Sequence, residues 1–423
     1  MLKMRKMKDS GIEWIGEIPE GWSIARGKHI LTLLQRAVFP TDGVITCFRD
    51  GEVTLRSNRR EDGFTVSLKE IGYQGIEPGD LVVHGMDGFA GSIGISDSRG
   101  KSSPVLVVLD SSQDKKYLMY YLRSMAYNNV FLALSTGIRV RSCDLKWNKL
   151  ADLLYLVPPI VEQHKLVSFL DEKCSEIDAM LSKTRASIEE YKKLKQAVIT
   201  QAVTKGVRGE REMKDSGVEW IGEIPKEWIC KKIKYATSIS RGLFNHRPRN
   251  DERYYNGKYP FIQTGDVANA TKYIVSYSQT LNELGKAVSK EFPKGTLTMT
   301  IAANVGDVAI LNFDAYFPDS VVCFIPNKNI RTLYLFYVFS SMKDEFTRTA
   351  IKSTQLNLNI DRVKETFIPV TLSVNEQCEI ENYLESKCAE IDGLIAKKEQ
   401  LVKELESYKK SLIYEVVTGK REV

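Results

Sequence analysis

Histidine is scarce in this 423-residue chain, and none of the few present belongs to a catalytic signature. The four histidines include no pair at i and i+4 and no HExxH, so the usual zinc-hydrolase motif is missing. We interpret His84, in an apolar run beside Gly85, as a core or loop histidine and not as a catalytic base. The segment GISDSRGKSS has five residues between Gly94 and Gly100 where a P-loop has four.

The chain also has only one double proline, VPPI, and its flanks do not fit the tetrad of an amino-methyltransferase. We therefore assign no catalytic residues and no metal ligands, and we predict a binding protein. An unrecognised nuclease or transferase remains the alternative.

The cysteines and the hydropathy argue against an exported or membrane protein. The seven cysteines are odd in number and form no CxxC pair, which disfavours a disulfide scaffold and a zinc site. No apolar run approaches the roughly 20 residues of a membrane span. The N-terminus MLKMRKMKDSG is basic but lacks the apolar stretch of a secretory signal. We expect a cytoplasmic protein that does not bind a membrane, and its net charge of +6 permits nucleic acid as a partner.

What the chain does contain is its own N-terminus, twice. MKDSGIEWIGEIPEGW (7–22) and MKDSGVEWIGEIPKEW (213–228) are identical at thirteen of sixteen positions. A second repeat pairs EQHKLVSFLDEKCSEIDAML (162–181) with EQCEIENYLESKCAEIDGLI (376–395). A period above 200 residues indicates duplicated domains, since solenoid repeats have periods of roughly 20–50 residues. The chain is therefore predicted to be a pseudo-twofold tandem repeat of one plan.

Two segments between the repeats predict globular domains of mixed structure. Residues 23–156 and 229–366 are rich in short β-like runs broken by Gly, Asn, Asp and Pro. Each also has one helical stretch, at 115–134 and at 331–351. Strand-rich segments of this kind predict the α+β class, with one mixed α/β domain in each half.

The segments 160–204 and 375–417 contain no proline and carry apolar residues at alternating steps of three and four. This heptad seam predicts two long helices that pair as a coiled coil, each roughly 65 Å long. Three extra residues before the second YKK predict a local shift of the seam. The alternative is that each helix packs only on its own globular domain. The predicted seam residues are Leu170, Cys174, Ile177, Leu181 and Ile188, with Leu384, Cys388, Ile391, Ile395, Val402 and Leu405.

Basic and amide side chains cluster near turn residues in both globular segments. Arginine commonly hydrogen-bonds to guanine, and asparagine and glutamine hydrogen-bond to adenine. Further cationic side chains contact the phosphates. The alternative is a solvated surface with scattered charges. The candidate DNA-binding residues are Arg49, Arg56, Arg59, Arg60, Arg139 and Arg141 in the first half, and Arg241, Arg247, Arg249, Arg253, Lys258, Gln263, Lys352, Gln355 and Asn357 in the second.

These motifs, in this order, resemble the specificity subunit of a type I restriction–modification system, often called HsdS. The resemblance rests on KDSGIEWIGEIPEGW and its second copy, on VPPIVEQHKLVSFLDEKCSEID, and on the YKK…QAVTKG and YKK…EVVTGK helix ends. PFIQTGDV, SRGKSSPVLVV and STQLNLNI resemble pieces of the family's target recognition domains. The resemblance covers essentially the whole chain.

The resemblance implies two target recognition domains, 1–156 and 213–366, and two helical repeat regions, 157–212 and 367–423. The domains would read the halves of a split, asymmetric site in double-stranded DNA, and an antiparallel coiled coil would set the spacer. Two modification subunits would dock on the helices and methylate adenine, and restriction subunits would translocate and cut. We expect the docking faces to be apolar or mixed beyond the seam, near Phe169, Val198, Ile199, Tyr383 and Ile413. This chain would hold no cofactor, because S-adenosylmethionine, ATP and magnesium would bind the partners. A two-headed DNA-binding regulator or scaffold without enzyme partners remains the alternative.

Overall fold

The structure is a computed structural model that describes residues 5–59, 70–133, 145–246, 249–349, 351–352 and 356–423. The chain forms two compact units. Unit 1 comprises Met1–Arg185 and Glu399–Val423, and unit 2 comprises Ala186–Lys398. Each unit contains one globular segment and part of each of two long helices. The domain boundaries at 156, 212 and 366 stay a prediction.

Unit 1 joins short strands to a few helices. Its strands are β1 (Met7–Asp9), β2 (Glu17–Pro19), β3 (Ser23–Arg26), β4 (Leu31–Leu33), β5 (Ile45–Cys47), β6 (Val53–Leu55), β7 (Gln74–Ile76), β8 (Leu81–His84), β9 (Ile93–Ile95), β10 (Gly100–Ser102), β11 (Leu106–Ser111) and β12 (Leu154–Val157). Its helices are α1 (Gly27–Ile30), α2 (Lys115–Tyr127), α3 (Val130–Ala133), α4 (Trp147–Asp152) and the first part of α5 (Ile160–Lys205), with 3₁₀ turns at Arg56–Asn58 and Gly88–Ala90.

The central sheet of unit 1 is antiparallel, with the order β4-β11-β8-β9. Leu81 and Val83 of β8 join the core that contains α2, whereas Val82 joins the core under the β5–β6 hairpin. Because both faces are covered, the paired segments 81–83 of β8 and 106–109 of β11 are wholly apolar and do not alternate with polar residues. The sheet thus packs through this core against the β5–β6 hairpin, near which several candidate arginines lie.

Unit 2 has more strands. They are β13 (Met213–Asp215), β14 (Glu223–Pro225), β15 (Ile229–Lys232), β16 (Thr237–Arg241), β17 (Tyr255–Phe261), β18 (Tyr273–Ile274), β19 (Gln279–Leu281), β20 (Glu291–Phe292), β21 (Leu297–Thr300), β22 (Val308–Leu311), β23 (Ala315–Tyr316), β24 (Val321–Pro326), β25 (Ile351–Lys352), β26 (Leu356–Asn357) and β27 (Phe367–Val370). Its helices are the end of α5, α6 (Ile233–Ala236), α7 (Thr264–Asn269), α8 (Glu283–Ala287), α9 (Thr332–Ser341), α10 (Lys343–Thr349), α11 (Ile360–Glu365) and most of α12 (Val374–Val417).

Two sheets organise unit 2. One has the order β16-β24-β21-β22-β18, and the other has the order β19-β17-β23-β20. In the second sheet, β19 runs antiparallel to β17 with Phe261 opposite Gln279. This pairing places the loop that follows β17 beside the loop that precedes β19.

The repeated sequence motif has the same local structure in both units. The hairpins β1–β2 and β13–β14 have matching registers, with Met7 opposite Pro19 and Met213 opposite Pro225. In unit 2, Arg211 forms an ion pair of 2.6 Å with Glu376 near the start of α12, and Trp228 Nε1 donates to the same carboxylate at 3.1 Å. The motif therefore fastens the start of a long helix to its globular segment.

The equivalent contact in unit 1 is more exposed and lacks the indole hydrogen bond. Arg5 pairs with Glu162, and its guanidinium lies 5.5 Å from the Trp22 ring centroid. Trp22 Nε1, however, is buried without a hydrogen-bond partner among the described residues. The repeats thus share the ion pair but differ at the indole.

The glutamine that follows each of these glutamates also has a repeated role. Gln163 accepts the Asp114 N–H at 3.0 Å, and Gln377 accepts the Arg331 N–H at 2.8 Å. Asp114 and Arg331 are the N-cap residues of α2 and α9. The repeated Glu-Gln pair therefore connects each long helix to the start of the neighbouring helix in its unit.

The two long helices run antiparallel. In unit 1, Asp178 of α5 pairs with Lys409 of α12 at 2.6 Å, and Arg185 pairs with Glu406 at 2.5 Å. The chain number thus rises along α5 as it falls along α12. The fold class is therefore as expected: mixed globular segments with long antiparallel helices in a duplicated chain.

Two expectations about the helices were wrong. The predicted three-residue insertion is absent, because equivalent positions stay 214 residues apart to the helix ends. Ile199 and Ile413 are both buried, and Thr204 and Thr418 both donate to the carbonyl four residues earlier. The two YKK motifs are therefore not equivalent in structure.

The other error concerns the short helical stretches, which are divided. The first ends at Tyr127 because Asn129 has a left-handed φ of 58°, which asparagine tolerates but a helix does not. The second breaks at Met342, between α9 and α10.

Candidate nucleic-acid interface

Three candidate arginines of unit 1 lie around one open cavity of about 800 Å³, which we call the arginine cleft. Arg49 follows β5, whereas Arg56 and Arg59 lie in and after the 3₁₀ turn that follows β6. The β5–β6 hairpin brings them together through a tight turn at Gly51, where φ is 88° and a Cβ would meet the Arg123 guanidinium. The hairpin thus brings all three arginines to the lining of the cleft.

Carboxylates and an aromatic ring orient two of these arginines. Arg49 pairs with Asp87 at 3.1 Å, and Arg59 pairs with Asp50 at 2.6 Å. The Arg59 guanidinium also lies 4.3 Å from the Phe48 ring centroid. The hydrogen bond that Arg59 donates to the Asp50 carboxylate raises the pKa of Arg59, so its charge is firmly retained. Each paired guanidinium keeps further N–H donors, because an arginine has five.

His84 lies at the end of β8 and also lines the arginine cleft. Its Nδ1 accepts the N–H groups of Met86 at 3.3 Å and Asp87 at 3.0 Å. Burial lowers the pKa of His84, which favours the neutral ring that these two bonds require. The histidine therefore closes the turn that holds Asp87, the partner of Arg49.

Unit 2 brings two candidate residues to a smaller cavity, of about 270 Å³, which we call the amide cleft. Arg249 lies in the loop before β17 and forms an ion pair with Asp319. Gln263 follows β17, and its side-chain amide donates to Gln279 Oε1 at 2.8 Å. The rings of Phe244 and Tyr255 stack 5.8 Å apart on the wall of this cleft.

Three further candidates of unit 2 do not line the amide cleft. Arg241 ends β16 and donates to the Asp319 carbonyl oxygen. Arg253 pairs with Asp251 at 2.7 Å, and Lys258 pairs with Glu283 at 3.4 Å. Hydrogen bonds from Arg253 lower the pKa of Asp251, which keeps that carboxylate charged. The exposed Arg253 and Lys258 side chains suit phosphate contacts better than base reading.

The side chains of the remaining DNA-binding candidates lie outside the described part of the chain. Arg60, Arg139, Arg141, Arg247 and Gln355 lie outside the described residues. The backbones of Lys352 and Asn357 belong to β25 and β26, but their side chains are outside the described part. The DNA-binding assignments as a whole stay a prediction.

The predicted seam residues lie in two states of burial. Leu170, Cys174, Ile177, Leu181 and Ile188 on α5 are buried, as are Leu384, Cys388 and Ile391 on α12. Ile395, Val402 and Leu405 are half-buried. Val402 and Leu405 pack against the core of unit 1, which includes Leu181. The seam assignment stays a prediction.

The apolar positions expected for docking on the helices are Phe169, Val198, Ile199, Tyr383 and Ile413. This is wrong for Ile199 and Ile413, which are buried in the cores of units 2 and 1. Phe169 and Val198 are partly buried against those cores, and Tyr383 is 40% exposed. Only the tyrosine offers a large free surface among these five.

Sequence reasoning missed the partners that orient the candidates. Asp87 and Asp319 are distant in sequence from the arginines that they bind, and Gln279 stands in the unremarkable run SYSQTLN. No periodicity marks such residues, because tertiary pairing alone brings them to the clefts.

Two classes of site are missing from the part of the chain that is described. No three His, Cys, Asp or Glu side chains come together there as a metal site. None of the helices found there is long and apolar enough to cross a membrane.

Comparison with known proteins relates both halves of the chain to one class. Residues 236–404 match the family described as the type I restriction modification DNA specificity domain. The chain is 23% identical to the putative type I restriction enzyme MjaX specificity subunit of Methanocaldococcus jannaschii, over 96% of this chain and 95% of that protein.

Two solved structures share the fold. One comes from work described as the structural basis underlying complex assembly and conformational transition of the type I R-M system. It matches with a TM-score of 0.73 at 15% identity, over 96% of this chain and 99% of that chain. The HsdS subunit from Thermoanaerobacter tengcongensis has a TM-score of 0.50 at 15% identity, over 96% of this chain and 98% of that one.

Proposed function

We propose that this chain, which belongs to the family of type I restriction–modification specificity subunits, reads one split and asymmetric DNA target through its two units. The observation that carries the proposal is the pair of unlike clefts in a duplicated chain. The arginine cleft presents three guanidinium groups, whereas the amide cleft presents an arginine and glutamine amides.

Unlike clefts should select unlike bases. An arginine donates two bonds to guanine, whereas a side-chain amide both donates to and accepts from adenine. Neighbouring cations such as Arg253 and Lys258 can hold phosphates without reading sequence. We therefore expect each unit to read its own half-site, with different bases in the two halves.

The long helices would set the spacing of the half-sites. Paired antiparallel helices resist bending better than a flexible linker does, so their length would act as a ruler. On a duplex, two modules that dock on the same face lie about one helical turn, roughly 34 Å, apart. The spacer of the target should therefore follow the length of the helices.

The chain would act in the cytoplasm without catalysis of its own. Two modification subunits would dock on the helical regions, bind S-adenosylmethionine and methylate adenine. Restriction subunits with ATP and magnesium would translocate and cut. Exposed apolar side chains such as Tyr383 on α12 and Met180 on α5 are candidate contacts for such partners. The net charge of +6 is modest, so we expect weak and strongly salt-dependent DNA binding by the isolated chain.

A genome-wide map of methylated adenine, made in the native host with and without this gene, tests the proposal. We expect deletion to remove methylation from one split, asymmetric motif and expression of the gene to restore it. If the two maps are identical while the modification subunits are expressed, the proposal is wrong. Co-purification would then test the alternative of a regulator without enzyme partners.

A further inference from the structure

In unit 2, two glutamine amides form a hydrogen bond with each other at the end of a sheet. Gln279 begins β19 and lies opposite Phe261, the last residue of β17. Gln263 follows two residues later, and its Nε2 donates to Gln279 Oε1 at 2.8 Å. Both side chains are half-buried and line the amide cleft.

A single carboxylate fixes the backbone on both sides of this pair. Asp266 accepts the Gln263 N–H at 2.8 Å and the Ser278 N–H at 3.1 Å. The Ser278 hydroxyl donates to it as well, at 3.2 Å. Because Ser278 directly precedes Gln279, one side chain holds the segments that carry both amides. Little rotamer entropy then remains to be lost when a ligand binds.

The amide pair keeps hydrogen-bonding capacity. Its internal bond uses one N–H of Gln263 and one lone pair of the Gln279 carbonyl, and the capping box of α7 uses one lone pair of the Gln263 carbonyl. Each glutamine amide has two N–H donors and a carbonyl with two lone pairs. The two N–H groups of Gln279 and the second N–H of Gln263 therefore remain for a ligand, beside carbonyl lone pairs.

We propose that Gln279 and Gln263 together read one adenine through its major-groove edge, with Gln279 as a specificity-determining residue. Adenine presents an acceptor at N7 beside a donor at N6, which matches an amide that donates and accepts. The inference rests on the proposed function and adds the identity of one base. Arg249, held by Asp319 in the same cleft, would supply a neighbouring cationic contact.

Guanine fits this site less well. Its major-groove edge offers two acceptors, N7 and O6, and arginine is the side chain that commonly binds them. The pair would still donate to guanine, but its carbonyl oxygens would face the O6 acceptor. The amide pair should therefore prefer adenine, in contrast to the arginine cleft of unit 1.

The test uses the complete system in the native host, with the deleted gene replaced by variants and methylated adenine mapped across the genome. Gln279→Leu keeps the size of the side chain and removes the amide. We expect one A·T position in one half-site to relax by about tenfold or more, while the other half-site is unchanged. Thr280→Val is the matched control, because the next residue on a strand points to the opposite face. It should leave the motif as it is.

Gln279→Glu distinguishes a reading role from a structural one. Glutamate can still accept from Gln263 Nε2, but it cannot donate to N7, so the same position should change its preferred base. If both Gln279 variants methylate the same motif as the wild type, the inference is wrong while the proposed function stands. Complete loss of methylation by Gln279→Glu, in a protein with unchanged melting temperature, also overturns it. If even the wild-type gene restores no motif, the proposed function itself fails.

Discussion

Lys195 and Asp392 form an ion pair of 2.7 Å that repeats, with the helices exchanged, the pair between Lys409 and Asp178. Each lysine lies 214 residues from its counterpart, and so does each aspartate. The antiparallel helices therefore follow a pseudo-twofold plan without insertions. Because the two helices are equivalent along their length, equal deletions can shorten both of them together.

A matched deletion tests the helices as a ruler. Removing seven residues from each helix keeps the heptad in phase and shortens the pair by about 10 Å, or about three base pairs of roughly 3.4 Å. We expect the methylated motif to keep both half-sites and lose about three base pairs of spacer. An active variant with the original spacer would contradict the ruler.

The buried Glu376 should matter more for stability than its half-buried counterpart Glu162. Burial acts to raise the pKa of Glu376, but hydrogen bonds from Arg211, Thr371 and Trp228 outweigh it and hold the pKa below its ordinary value. Glu376→Ala leaves the largely buried Arg211 with the exposed Glu227 alone and removes the acceptor of the buried Trp228 Nε1. We expect a loss of about 3 kcal/mol of unfolding free energy. Denaturant unfolding measures this loss. Glu162→Ala is the control, because Glu162 is less buried and should cost clearly less.

His84 should make unit 1 sensitive to mild acid. Its pKa is lowered in the folded chain, so the unfolded chain binds the proton more readily. The contribution of His84 to folding stability is therefore fully present above the pKa of about 6.5 that histidine has in an unfolded chain, and it is lost as the pH falls below that value. We expect the melting temperature to fall between about pH 7 and pH 5. In His84→Asn the fall should be smaller, because asparagine can accept the same turn N–H groups without titrating.

The exposed His29 provides the control for this pH experiment. His29→Asn should keep the wild-type fall in melting temperature. If the melting temperatures of His84→Asn and the wild type fall equally with pH, protonation of His84 is not the cause of the acid sensitivity.

Arg59 tests base reading in the arginine cleft. Arg59→Ala should relax one position of one half-site by roughly 1–3 kcal/mol, the usual worth of a bidentate contact. Arg348→Ala is a matched control, since Arg348 pairs with Glu345 at 2.8 Å but lines neither cleft. A methylation map of each variant provides the measurement. A uniform loss of affinity at all positions would instead assign Arg59 to a phosphate.

The duplicated plan and the long helices could be predicted because both depend on local sequence. Repeated motifs and heptad spacing are visible without tertiary contacts. The helix break at Asn129 was missed because one left-handed residue decides it. Ile199 was misplaced because its burial depends on the globular core that covers the end of α5.

The candidate site could be predicted less well than the fold. The arginine cluster was visible as composition, and the β5–β6 hairpin does bring Arg49, Arg56 and Arg59 to one cleft. Their carboxylate partners and the Gln263–Gln279 pair depend on residues that only the folded chain brings together. Such contacts leave no spacing pattern in the sequence.

The most direct test of the central claim exchanges one globular segment and leaves the other intact. Residues 23–156 would be replaced by the corresponding segment of a relative with a different target, and methylated adenine would be mapped in the host. The account predicts a new first half-site beside an unchanged second half-site and spacer. A change in both halves, or in neither, would contradict the claim that each unit reads its own half.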